Sequence, residues 1–369
     1  MSCDLIGLAN SGVQELHPYQ PGKPIEELER ELGLSDVVKL ASNENPLGPS
    51  ALAVAAAQAA LAESHLYPDA SGFALKKKLA PRLGVNANQL TLGNGSNDVL
   101  DVITRVFLDK DGSAVFSQHA FIVYPISVKA VGARAIITPA QDWGHDLDAM
   151  AAAIEPDTRL VFIANPNNPT GTCLAFSDLR AFMAKVAEQV IVVLDEAYVE
   201  FVGTGRGEEG LALLKDYPNL ILTRTFSKAY GLAGLRVGYA VSHPDIADLL
   251  NRVRAPFNVT VPALAAAEAV LDDEDYLLRS QQVNREGLAQ LGAGLDTLGV
   301  PYIPSVGNFI AIELPCPAAP IYQALLERGV IVRPVGIYDM PNHLRVSVGL
   351  ASENARFLAA LAEVLEARW

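Results

Sequence analysis

The chain has 369 residues, half of them hydrophobic, which is enough apolar material for a large core and roughly two domains, and which excludes a disordered protein. Its 28 Lys and Arg stand against 42 Asp and Glu, a formal net charge of −14, so neither nucleic acid nor an anionic membrane is the expected main partner. In so acidic a chain an arginine set among apolar residues is a candidate anion ligand.

Cys3, Cys173 and Cys316 are far apart and odd in number, and the six histidines are scattered with no HExxH, so neither a disulfide framework nor a metal site is expected. The first basic residue is Lys23, and no apolar run is long enough to cross a bilayer. The cytoplasm is the default expectation.

Residues 1–45 are irregular around His17-Pro18-Tyr19-Gln20-Pro21-Gly22-Lys23-Pro24 and predict an arm lying on another surface, with a short amphipathic helix at 25–32. Ser42-Asn43-Glu44-Asn45-Pro46-Leu47-Gly48-Pro49 is a turn cluster, and 51–62 is an alanine-rich helix. Leu66-Tyr67-Pro68-Asp69 follows as a turn with an aromatic at its mouth. From Leu90 short apolar runs at 89–92, 114–117, 135–138, 160–164, 190–194, 220–223 and 237–241 read as strands. Helical patterns at 96–107, 124–131, 147–154 and 176–188 lie between most of them.

This alternation predicts an α/β domain with a mostly parallel sheet covered by helices. Ligands of such sheets sit beyond the carboxyl ends of the strands, so polar residues just after each apolar run become site candidates. After Pro262 the rhythm changes to helices at 263–271 and 275–298, then strands at 308–314, 330–332 and 343–348 with helices at 320–328 and 352–368. The expected organisation is an arm over 1–45, a large domain over 46–262 and a smaller α+β domain over 263–369.

The first strand end is Gly93-Asn94-Gly95-Ser96-Asn97-Asp98. Glycines before a helix start present free backbone N–H groups to an anion, and Ser96 can both cap the helix and contact a phosphate. A plain glycine turn with an N-cap is the commoner use of this pattern. Asp98 stands where GxGxxG needs its last glycine. The literal GxGxxG at 205–210 carries two glutamates and has no strand immediately before it, so a pyrophosphate site there is discarded.

Past the second strand come His119, Ala120, Phe121 and Tyr124, where an aromatic could lie on a planar ring or simply pack in the core. Asn165-Pro166-Asn167-Asn168-Pro169-Thr170-Gly171 is a rigid turn; Asn168 could donate to a ring oxygen, or the loop could use its asparagines for turn chemistry alone. The run 190–194 enters Asp195-Glu196-Ala197-Tyr198. That ending also suits the magnesium strand of a P-loop ATPase, but GxxxxGK[ST] is absent. A carboxylate at a buried strand end wants a cation, and a protonated pyridine nitrogen would serve.

The decisive stretch is Thr225-Phe226-Ser227-Lys228-Ala229-Tyr230-Gly231-Leu232-Ala233-Gly234-Leu235-Arg236. A buried lysine loses its proton readily, and its neutral amine condenses with carbonyls. Ser-Lys alone is usually a polar turn, but here every strand end adds a part for one ligand, pyridoxal phosphate. Lys228 would carry it, Asp195 would keep its ring nitrogen protonated, and Tyr198 and Asn168 would hold its ring oxygen. Phe121 would stack on the ring, and Gly95, Ser96, Asn97, Thr225, Ser227 and Arg236 would grip the phosphate.

These motifs resemble the fold-type I pyridoxal-phosphate aminotransferases over essentially the whole chain. Pro18–Lys23, the 42–49 turn, Tyr67-Pro68, Asn167–Gly171 and 225–238 are similar, within that superfamily, to histidinol-phosphate aminotransferases. The resemblance implies a homodimer with Tyr67 reaching the phosphate in the other subunit and an arm carrying Tyr19 over a site. It implies that Arg345, in Leu344-Arg345-Val346-Ser347, binds the substrate anion with Arg333 as a second arginine, although an arginine is usually a solvated charge. The implied partners are a small-molecule amino donor and a 2-oxo acid: histidinol phosphate and 2-oxoglutarate, as in histidine biosynthesis.

Many members carry Pro-Thr-Tyr where this chain has His119-Ala120-Phe121, which keeps the stacking ring and loses its hydroxyl. Rival readings are an aromatic amino acid aminotransferase, a threonine-phosphate decarboxylase and a non-catalytic pyridoxal-phosphate-binding regulator. The acidic charge and the lack of an extra basic N-terminal domain count against the last, and full biological function in a Lys228→Ala variant would defeat the catalytic reading.

Overall fold

A computed structural model describes residues 4–18, 22–203 and 206–367. Its centre is a seven-stranded sheet in the order Leu90–Gly93, Gly238–Ser242, Leu220–Thr225, Ile191–Asp195, Thr158–Ala164, Ser113–Ser117, Arg134–Thr138. All seven strands were expected from their apolar runs. Gly238–Ser242 runs antiparallel to both neighbours and the remaining pairings are parallel. The inner strands are buried on both faces, which is why Val161–Ala164 and Val192–Leu194 read as continuous apolar runs.

Helix Ser96–Phe107 forms over the expected residues, and its apolar side buries Val99, Leu100, Val102 and Ile103 against the sheet. The helix expected over 176–188 stops at Met183. Several elements had no clear sequence signal. Phe73–Leu83 contains three consecutive lysines and Pro81, yet buries Leu75 and Leu79. Pro244–Val253 starts on proline with His243 as its cap. A small hairpin pairs Ala140–Gln141 with Gly144–His145.

The second core surrounds an antiparallel sheet ordered Tyr302–Ile303, Phe309–Glu313, His343–Ser347, Arg333–Pro334. Val38–Lys39 pairs with Val330–Ile331, and Leu28 and Ala41 pack with Leu326 and Ile331. Much of the expected arm therefore builds into this small domain. Helix Val261–Val270 instead buries Ala263, Ala266 and Ala267 in the large core. Helix Glu274–Leu298 has Tyr276 in the large core and Leu291 and Leu295 in the small one. We propose the domain junction inside this helix, capped by Asp273 on the N–H of Tyr276. Among the described residues no helix is long and apolar enough to cross a membrane.

Candidate active site

A cavity of about 260 Å³ opens at the carboxyl ends of the central strands, between the two domains. Ser96, Asn97, Phe121, Asn168, Asp195, Tyr198, Thr225, Ser227, Lys228, Arg236, Arg333 and Arg345 all line it. These residues are far apart in sequence; the sheet order gathers those of the large domain, because adjacent parallel strands end on the same edge, and the small domain brings Arg333 and Arg345. Gly95 lies directly behind Arg236. Tyr67 is outside the cavity, 82% exposed, with its ring stacked on Phe257 at 4.6 Å. Tyr19 lies outside the described residues.

Lys228 follows strand Leu220–Thr225 through the fully buried Phe226. Its Nζ donates to the carbonyl oxygen of Ser42 at 3.3 Å and stands 5.8 Å from the centre of the Tyr198 ring. Burial, then the charge of Arg345, lowers its pKa to about 7, with Glu44 opposing and Arg236 adding to the fall. Near neutral pH the amine is therefore poised between its two protonation states.

Asp195 ends the strand beside it, and 4% of it is exposed. Tyr124 donates its hydroxyl to Oδ2 at 2.9 Å and Thr223 donates to Oδ1 at 3.0 Å. Burial raises the carboxyl pKa, and these donors with the Ala197 N–H pull it back. No salt bridge to Asp195 occurs among the described residues, so the site offers a buried carboxylate oxygen pair without a protein cation. Tyr198 takes a hydrogen bond from Asn43 Nδ2 at 3.0 Å. Burial pushes its phenol up to about 12, so it remains a donor at neutral pH.

The opposite end is built for an anion. Helix Ser96–Phe107 points its first turn, whose N–H groups have no intrahelical acceptor, at the cavity. Gly95 holds φ at +83°, and a Cβ there would come 2.3 Å from Arg236 Nη2. Arg236 donates to Ser227 Oγ at 3.2 Å, and Ser227 in turn accepts from Thr225 Oγ1 at 3.0 Å. Three side-chain donors and a helix N-terminus thus converge on one spot.

Arg345 and Arg333 come from the small domain, 6% and 8% exposed. Arg345 donates to Asn168 Oδ1 at 2.5 Å and to the carbonyl of Ala41 at 2.7 Å, and its guanidinium lies 5.4 Å from the Phe309 ring. Two buried guanidinium groups on one wall suit a doubly charged ligand end.

The model of the family described as aminotransferase class I and II matches residues 35–361. The chain belongs to the class I and II aminotransferases. It is 58% identical to histidinol-phosphate aminotransferase 2 of Pseudomonas fluorescens (strain Pf0-1), with 99% of each chain covered. It is 55% identical to histidinol-phosphate aminotransferase 1 of Nitrosococcus oceani, with 97% of each covered. Among solved structures it superposes, at TM-score 0.90 and 30% identity, on histidinol-phosphate aminotransferase from Sinorhizobium meliloti in complex with pyridoxal-5′-phosphate, covering 97% of this chain and 98% of that one.

Several residues of this aminotransferase's site escaped the sequence. Asn43 accepts from Ser347 and is held again through its carbonyl by Asn308 at 3.0 Å, so a residue of the expected arm becomes part of the wall. In the sequence Tyr124 is one more aromatic after the second strand; in the fold it donates a hydrogen bond to Asp195. Thr223 follows the apolar run at 220–222, and only its register opposite Asp195 shows its task. Tyr338 lines the cavity from a one-turn helix that has no sequence signal.

The back of the sheet carries a second charge arrangement. Glu196 and Arg224, one residue beyond Asp195 and Thr223 on the paired strands, form an ion pair at 2.7 Å with side chains 4% and 7% exposed. Helix Arg206–Asp216 covers them: Gly207 gives its carbonyl to Arg224, and a Cβ at Gly210 would meet Glu196 Oε1 at 2.2 Å. Of the glycines in the discarded GxGxxG, Gly210 is thus a close-approach position, Gly207 has room for a Cβ, and Gly205 lies outside the described residues.

Proposed function

We propose that this aminotransferase exchanges the amino group of L-histidinol phosphate with 2-oxoglutarate, giving imidazole-acetol phosphate and glutamate, with pyridoxal phosphate as cofactor. The carrying observation is one cavity that joins a near-neutral Lys228 to a wall holding Arg333 and Arg345. The relatives' names support the same substrate.

The residues fit the cofactor. Gly95, whose Cβ would collide with Arg236, leaves the cradle open to a phosphate on Ser96, Asn97, Thr225, Ser227 and Arg236. Asp195 would face the ring nitrogen, Tyr198 and Asn168 the ring oxygen, and Phe121 the ring face. When bound, pyridoxal phosphate supplies an electron sink for negative charge at the substrate carbon bearing the amine.

Lys228 Nζ takes the proton from that carbon and would deliver it to the cofactor carbon that keeps the nitrogen, acting first as base and then as acid; a pKa near 7 suits both. The two hydroxyl donors favour the ionised form of Asp195 against its burial, and that form would support a cationic ring nitrogen. Arg345 receives a phosphate in one half of the cycle and a carboxylate in the other, which its planar fork allows.

We also propose a homodimer in which Tyr67 closes the cavity of the second copy. The exposure of Leu66, Tyr67 and Phe73 on one stretch of surface supports it. The test of the reaction is glutamate formation from histidinol phosphate and 2-oxoglutarate by purified protein. Turnover is expected, with none from Lys228→Ala; equal turnover by that variant refutes the catalytic role of the lysine.

A further inference from the structure

Three loops that carry site residues meet at one residue on the rim, one through its backbone carbonyl and one through its ring. His119 follows strand Ser113–Ser117 and holds φ at +58°. Its carbonyl accepts from Asn167 Nδ2 at 3.1 Å, next to Asn168 of the cavity wall. Two residues on, Phe121 lines the cavity. Its Nδ1 lies 2.5 Å from the carbonyl oxygen of Tyr338, on the small-domain side. A carbonyl only accepts, so Nδ1 carries the proton of that bond.

The His119 ring also packs on Trp143 at 5.3 Å, and Trp143 stands edge-on to His343 of the small domain at 4.7 Å. Trp143 is the tip of the hairpin that the central sheet does not use. The hairpin is thus a wedge whose tip touches both domains, with Ile122 and Trp143 packed on Ile303, Val335, Tyr338 and Met340.

We propose that His119 is a positioning residue: it fastens the small-domain loop of Tyr338 to the large-domain turn of Asn168 and so sets the spacing of the walls that grip the substrate. Among the contacts that bridge the domains at this edge of the cavity are Arg345 to Asn168 on the inside and His119 to Tyr338 on the outside. A substrate anion that takes up Arg345 competes with Asn168 for its guanidinium. The His119 bond involves no group that binds substrate, so it persists through that exchange and keeps Tyr338 and Arg333, five residues apart on one segment, in place. The inference rests on the aminotransferase reading of the cavity.

The test uses three holoenzyme variants. His119→Phe keeps a ring against Trp143 and loses the donor. His119→Gly loses the ring and is at ease at positive φ, so it folds even where phenylalanine strains the turn. His119→Asn tolerates the same φ and offers a donor toward Tyr338. The half-reaction with histidinol phosphate is followed by visible absorbance over a range of concentrations, and again with glutamate as donor.

His119→Phe and His119→Gly are expected to raise the half-saturating donor concentration about three- to tenfold, the worth of one hydrogen bond, with the saturating rate within about twofold of wild type. His119→Asn is expected to recover at least half of that loss. Unchanged half-saturation in the glycine variant, or an asparagine variant as impaired as the glycine one, overturns the proposal. If wild type converts with glutamate and not with histidinol phosphate, the substrate reading fails, and the glutamate series still decides the role of His119.

Discussion

Replacing Tyr124 with phenylalanine isolates what holds Asp195. The ring of Tyr124 is fully buried, stacked on Phe162 at 4.7 Å with 12° between planes and edge-on to Phe121 at 5.9 Å. Phenylalanine keeps those contacts, so packing contributes little and the lost group is the hydroxyl 2.9 Å from Asp195 Oδ2. A hydrogen bond to a charged acceptor is worth about 1.5–3 kcal/mol, which converts to about a ten- to 150-fold loss of rate if Asp195 acts only as an ion.

The sign with pH follows from the same group. Burial raises the Asp195 pKa and the Tyr124 hydroxyl is the leading influence lowering it, so Tyr124→Phe lifts it further. At a given pH less of the carboxylate is ionised, and the acid limb of the pH–rate profile moves to higher pH. The assay is the half-reaction rate at saturating donor between about pH 5 and 9, with thermal unfolding as a control. A variant within twofold of wild type, with its acid limb in place, refutes the role given to the Tyr124–Asp195 bond.

Three further outcomes are expected. Proton transfer by Lys228 falls as pH drops below about 7, where its amine takes up a proton, and Arg345→Gln moves that midpoint upward by removing a charge that lowers it; an unmoved midpoint in the same pH–rate profile counts against the coupling. Gly95→Ala combines backbone strain at φ +83° with a Cβ 2.3 Å from Arg236, and weakens cofactor binding about tenfold or more in an absorbance titration; unaltered affinity removes the phosphate cradle from this corner. Glu196→Gln leaves Arg224 charged and buried, which costs about 3–5 kcal/mol in denaturant unfolding; a loss below about 1 kcal/mol means the pair is not structural.

The large sheet was legible because a strand buried on both faces must be apolar throughout, and its polar ending stands out. Asp195, Lys228 and Asn168 were found that way. The signal failed where a residue acts through register or through the other face. Thr223 is one of three polar residues that end the strand Leu220–Thr225, and its partner appears only when the strands are paired. Glu196 and Arg224 read as ordinary charges until the sheet sets them side by side under Gly210. The small-domain walls were least legible. Asn43 and Tyr338 lie in a turn and a single helical turn, and tertiary contacts with Ser347, Asn308 and His119 decide where they point.

The central claim is that this cavity processes histidinol phosphate. Its most direct test is the half-reaction of the yellow holoenzyme, with histidinol phosphate and phenylalanine added separately and conversion followed by visible absorbance. With Arg333 and Arg345 on the substrate wall, much faster conversion by histidinol phosphate is predicted. Equal rates, or a preference for phenylalanine, contradict that claim and make the protein an aromatic or broad aminotransferase.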